Sequence, residues 1–155
     1  MAVLQTLARL VAEPAGDPYA ALQEAYVGLV TRAGWLARNA ERAPQAHSRD
    51  ALQRLSVTET AMAERVAAVL RGAGRIVSAP TDTPRPAGGL NHWRRLVQTL
   101  DAHRAAERDT REFCVQFAET HPTVVALFDE LCRTERSHVI ALRGLIARAD
   151  PLALD

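Results

Sequence analysis

Four stretches of this chain place an apolar residue at every third or fourth position, and that spacing leaves little choice of fold. Residues so spaced share one face of an α-helix, so each stretch reads as an amphipathic helix with one buried stripe. The first, residues 17–42, carries Leu22, Tyr26, Leu29, Ala33, Leu36 and Ala40 along its stripe. The second, residues 48–72, carries Leu52, Leu55, Glu59, Met62, Val66 and Leu70. The third, residues 91–119, carries Trp93, Leu96, Leu100, His103, Glu107, Cys114 and Ala118. The fourth, residues 123–149, carries Val124, Phe128, Leu131, Glu135, His138, Val139, Leu142 and Ile146. The punctuation agrees. Asp17-Pro18 is an N-cap followed by a first-turn proline, and Ser48 opens the second stretch. Gly72 and Gly74 close that stretch, and Pro44, Pro122 and Pro151 fall in the breaks.

Composition fits a helical chain: Ala, Leu, Arg and Glu dominate, and β-branched runs are absent. At 155 residues the chain suits one domain with a sizeable core. The net charge is +1 and the arginines alternate with acids, so no basic block marks a nucleic-acid partner. No apolar run reaches the roughly 20 residues that cross a bilayer. The opening "MAVLQTLARLVAE" lacks a basic n-region and a clear cleavage site, which argues against a signal peptide. It reads as a short helix, residues 1–14, whose Leu4, Leu7, Leu10 and Val11 suit packing on the bundle or on a partner. Cys114 and Cys132 imply no disulfide scaffold, so a reduced, cytoplasmic protein is expected.

The first and second stretches, and the third and fourth, are joined by only a few residues, so each pair should fold back as an antiparallel helical hairpin. The middle connection, residues 73–90, is long and contains Pro80, Pro84 and Pro86. Extended, it reaches about 60 Å. A helix of about 25 residues is about 37 Å long. The connection can therefore cross the bundle and start the third helix parallel to the second. An internal repeat supports two hairpins: "NAERAP" and "FAETHP" end the first and third stretches, and "VTE" and "RTE" recur within the second and fourth.

Paired hairpins, a crossover and Glu135-x-x-His138 together resemble the ferritin-like superfamily of ferritins, bacterioferritins and rubrerythrins. The resemblance covers residues 17 to about 149. It implies an all-α, four-helix ferritin-like bundle of two hairpins joined by a long crossover loop, here with an added N-terminal helix. It also implies a metal centre built from a Glu on each of the first and third helices and Glu-x-x-His on the second and fourth. Glu135 and His138 match that pattern on the fourth helix, and Glu59 matches the Glu of the second. Met62 stands where the second His belongs. On the first helix Glu24 points to solvent and Tyr26 faces in; on the third, His103 faces in.

Counting outward from the turn at His121 places Glu107 level with Glu135 and His103 level with His138. Two carboxylates and two imidazoles at one level, joined by Glu59 from across the core, would suit a single Fe, Mn or Zn ion. The same residues also suit a metal-free polar network, with Arg104, Arg108 and Arg111 one turn from the acids. Because the six-ligand set is incomplete, the first expectation is a degenerate ferritin-like domain: a non-catalytic structural or protein-binding component, as a homo-oligomer or with a protein partner. The alternative is a metal-binding protein with oxidoreductase or metal-handling activity. Met62 reads as core filling, Trp35 and Trp93 as packing anchors, and His47, His92 and His121 as solvated or capping groups at helix ends.

Overall fold

The structure, a computed structural model, describes residues 16–81 and 90–152. It holds four helices, with no strand among the described residues: α1 Pro18–Glu41, α2 Ala46–Gly72, α3 His92–Phe117 and α4 Pro122–Ile146. The expected N-terminal helix over 1–14 lies outside the described residues, as does the middle of the 73–90 connection. No described helix is long and apolar enough to cross a membrane.

Side-chain caps set the starts of two helices. Asp17 caps α1 by accepting the Tyr19 N–H at 2.9 Å, with Pro18 in the first turn. Asn91 caps α3 by accepting the Arg94 N–H at 2.9 Å. Such caps satisfy donors that the helix itself leaves unpaired. The second helix departs from expectation. It begins at Ala46, two residues before Ser48, and its N-cap Gln45 makes no side-chain cap bond. Ser48 is instead buried against the core. The fourth helix starts at Pro122 and ends at Ile146, ahead of the expected 149.

Packing is most extensive between α1 and α2 and between α3 and α4, while α1 also packs on α3 and α2 touches α4. Contacts between helix ends give the directions. Just past the end of α2, Arg75 pairs with Asp17 at the start of α1 (3.0 Å), and Gln23 Nε2 donates to the Ser78 carbonyl. The start of α3 lies at the opposite end of the bundle, where Arg95 donates to the carbonyls of Leu90 and Arg42. There Asn91 Nδ2 also donates to the Pro151 carbonyl beyond α4.

Two apolar clusters fill the interior. One, around Leu22, Leu29, Met62, Val66, Phe117 and Phe128, packs the end nearest Asp17. The other, around Leu36, Leu52, Leu96, Leu100 and Leu142, packs the end nearest Arg42. Met62 is core, and Tyr26 packs beside it. His92 is buried, unlike the solvated helix-end residue the sequence suggested.

Both cysteines are free and half-buried. Cys114 Sγ lies 4.0 Å from the Val125 carbonyl, and Cys132 Sγ lies 3.8 Å from the Glu107 carbonyl. Those levels differ by seven residues, about 10 Å along the helices. A disulfide needs a Cα separation under about 7 Å. Thiol titration after mild oxidation of the folded protein is therefore expected to find both thiols; loss of both without dimerisation would contradict this packing.

Candidate metal centre

Between the two apolar clusters lies a polar layer to which all four helices contribute. Leu29 and Leu36 of α1 belong to opposite clusters, and Arg32 stands between them in sequence. Glu59 of α2 is likewise flanked by Leu52 and Met62. His103 follows Leu100 on α3, and Glu135 and His138 lie between Leu131 and Leu142 on α4. Glu59, His103, Glu135 and His138 are all buried, and one ligand atom from each lies within 4.8 Å of all the others.

Arg32 holds the two carboxylates. Its Nε donates to Glu59 Oε2 at 3.0 Å and its Nη2 donates to Glu135 Oε1 at 2.6 Å. One planar guanidinium thus satisfies one oxygen of each acid, an arrangement a lysine ammonium could not copy. Gly28, one turn earlier, leaves it room: a Cβ there would stand 2.8 Å from Arg32 Nη1.

The remaining carboxylate oxygens face the imidazoles. His103 Nδ1 lies 2.6 Å from Glu135 Oε2 and 4.0 Å from Glu59 Oε1. His138 Nδ1 lies 3.0 Å from Glu59 Oε1, but out of line for a hydrogen bond, so neither atom has a hydrogen-bond partner within the protein. His103 Nε2 also lacks one. The two rings meet edge to face with centroids 5.2 Å apart. Burial, together with Arg32 and His138, outweighs the pull of Glu59 and holds the His103 imidazole down to about 3, so it is neutral at pH 7. Burial likewise raises Glu135, against the opposing effects of Arg32 and His138. A single proton in the short Nδ1···Oε2 contact serves both groups.

The structure brings Glu59, His103, Glu135 and His138 together and leaves Glu107 out. Glu107 lies half-buried at the α3–α4 seam, pairing with Arg111 at 2.7 Å and Arg136 at 3.1 Å. The error is one of register. Helix α3 ends at Phe117 and α4 begins at Pro122, so the centre of the turn precedes His121. Moving that centre back sets Cys132 level with Glu107 and brings His103 opposite Glu135, about one turn from the expected pairing. The expected arginine partners are corrected too: Arg104 and Arg108 pair with the exposed Asp101 and Asp109, Arg111 pairs with Glu107, and the cation of this layer is Arg32. Its signal was a cation one turn after Gly28 and Leu29 and one turn before Leu36, at the edge of the apolar stripe.

A cleft of about 470 Å³ between α1 and α3 leads from the surface to this layer. Arg32 and Glu135 form part of its wall, and Glu24, Asp109 and Glu112 also line it. No known family model matches the chain, and no characterised protein matches its sequence.

The chemistry of the donor set suits a transition metal. Two imidazoles and two carboxylates favour ions such as Zn²⁺, Fe²⁺ or Mn²⁺ over Ca²⁺ or Mg²⁺. Around a four-coordinate ion with bonds near 2.1 Å, neighbouring ligand atoms sit about 3.4 Å apart. The contacts of 2.6, 3.0 and 4.0 Å bracket that spacing.

Two outcomes test the layer itself. Arg32→Ala leaves two buried carboxylates without their cation and is expected to destabilise the metal-free protein by about 3–5 kcal/mol in urea unfolding. A loss under about 0.5 kcal/mol would mean that the acids are solvated. The second outcome is a pH dependence. Unfolded, His103 takes a proton below its ordinary 6.5; folded, it stays neutral to about 3, so its contribution to stability is lost as pH falls through that window. Glu135, raised above its ordinary 4.5, acts oppositely only above that value. Between about pH 4.5 and 3, in chelator, wild type is therefore expected to lose up to about 1.4 kcal/mol per pH unit more than His103→Gln. Parallel curves would show that His103 is charged in the fold.

Proposed function

We propose that this chain is a ferritin-like bundle whose inner carboxylate–imidazole layer binds a divalent transition metal. The observation that carries the reading is a pair of unpartnered buried atoms: Glu59 Oε1 and His138 Nδ1 lie 3.0 Å apart within one four-residue cluster. Each such atom costs about 1–3 kcal/mol when it has no partner, and a cation shared among neighbouring ligands offsets that cost. The ferritin-like part of the reading draws support from the contacts at the helix ends. They set the end of α2 and the start of α3 at opposite ends of the bundle, as two hairpins joined by a crossover require. A bound ion would supply Lewis acidity or, as iron or manganese, redox chemistry.

A specific observation favours a second reading. Arg32 already pairs with both acids, so the same layer can stand as a metal-free ion network within a non-catalytic structural or protein-binding component, alone or as a homo-oligomer.

Metal analysis of protein purified without chelator separates the two. On the first reading, Zn²⁺ or Mn²⁺ at 100 times its dissociation constant stabilises the protein by about 2.7 kcal/mol, seen as a higher melting temperature. Glu59→Ala with His138→Ala abolishes that shift. Protein that carries no metal and does not shift under excess Zn²⁺, Mn²⁺ or Fe²⁺ would remove the first reading and leave the second.

A further inference from the structure

We infer that Arg32 is a built-in second cation, which restricts this layer to a single metal ion and decides which ligand atoms that ion uses. The inference rests on the metal-binding reading above.

Each carboxylate is divided between two jobs. Glu59 gives Oε2 to Arg32, and its Oε1 faces His138 and His103. Glu135 gives Oε1 to Arg32, and its Oε2 faces His103. The guanidinium therefore spans the two acids on one side, where a carboxylate-bridged metal pair would need its second ion. The imidazole side keeps Glu59 Oε1, Glu135 Oε2, His103 Nδ1 and His138 Nδ1, a set for one four-coordinate ion. An ion binding there takes the place of the proton between His103 and Glu135, which moves to Nε2 of the same neutral ring, and leaves both Arg32 bonds intact.

Charge gives the same count. Two carboxylates and one guanidinium sum to −1, and one divalent ion brings the layer to +1. A second would bring it to +3 between two apolar clusters, without further acids to offset it. Nor does the helix offer the guanidinium an easier place. Arg32 is mostly buried, with 12% of its side chain exposed, and pairs with Glu59 and Glu135. The acids of the α1–α3 cleft, Glu24, Asp109 and Glu112, are exposed and would hold it only weakly.

The test uses the full chain, freed of metal by chelator and titrated with Co²⁺. Calorimetry gives the stoichiometry and visible absorption gives the coordination. Wild type is expected to bind one Co²⁺ per chain with the intense absorption of a four-coordinate site. Arg32→Gln, checked for fold by circular dichroism, is expected to take up a second ion. Zn²⁺-loaded wild type is expected to keep the slowly exchanging Arg32 Nε–H resonance in nuclear magnetic resonance spectra, assigned by its absence in Arg32→Lys. That readout stands even if Arg32→Gln does not fold. Two ions in wild type, one ion in both proteins, or loss of the Nε–H resonance on loading would each overturn the inference and leave the metal-binding reading intact. Binding by Arg32→Gln alone would also overturn it, making Arg32 a competitor. No binding by either folded protein would instead remove the metal-binding reading.

Discussion

The bond pair from Arg32 to Glu59 and Glu135 is the interaction on which the middle of this bundle depends. Without a cation, two carboxylates in a dry layer cannot both stay ionised, and one must take up a proton or draw in water. With Arg32 in place, each acid keeps one satisfied oxygen and turns the other towards an imidazole. The geometry of the whole layer follows from that division. The guanidinium is planar and its donors are fixed, so the separation of Glu59 from Glu135 is fixed as well, and with it the spacing of α2 and α4 around α1.

Such a layer is a weak source of net stability. Its ions lose hydration, and apolar side chains of equal volume would pack the same space at less cost. Two apolar clusters, one on either side, carry the burial that holds the helices together. What the layer adds is register. Sliding α1 by one turn would replace Arg32 with Gly28 or Leu36 and strand both carboxylates. An apolar interface of Leu and Ala tolerates such slippage far better, since one apolar contact resembles the next. The neutral state of His103 belongs to the same economy: a charged imidazole beside Arg32 would repel it, and burial tips the balance towards the neutral ring.

The helices were legible in the sequence because their causes are local. Apolar residues at three- and four-residue spacing, Asp17-Pro18, Asn91 and Pro122 act within a turn or two of themselves. Glu59, His103, Glu135 and His138 were legible for a related reason: each is a polar side chain within an apolar stripe, and each is buried. The rest was not local. Which residue of α3 stands beside Glu135 depends on where the turn after Phe117 reverses the chain, and a shift of a few residues there moves the partner by a full turn. That shift exchanged Glu107 for His103 opposite Glu135. Arg32 escaped because it sits at the edge of its stripe, where a long side chain can run either to solvent or inward along its neighbours. Only the carboxylates of two other helices decide between those courses, and nothing near Arg32 in sequence announces them. Ser48 and the bare N-cap Gln45 show the converse, a good local cap drawn into the core by packing.

The layer also draws unequally on the two halves of the chain. Glu59 and Glu135 remain alike, but the position three residues on is Met62 in one half and His138 in the other. Met62 joins the apolar cluster near Asp17, whereas His138 turns to the carboxylate of the opposite half. The two imidazoles come from α3 and α4, and the cation comes from α1. In consequence, neither pair of helices holds a balanced set. In this layer the α3–α4 pair supplies Glu135 and two imidazoles, and the α1–α2 pair supplies Arg32 and Glu59. The Arg32–Glu135 bond and the Glu59–His138 contact both run from one pair to the other. The polar layer is therefore complete only when the two pairs are docked, so its charges are balanced across the interface between the pairs.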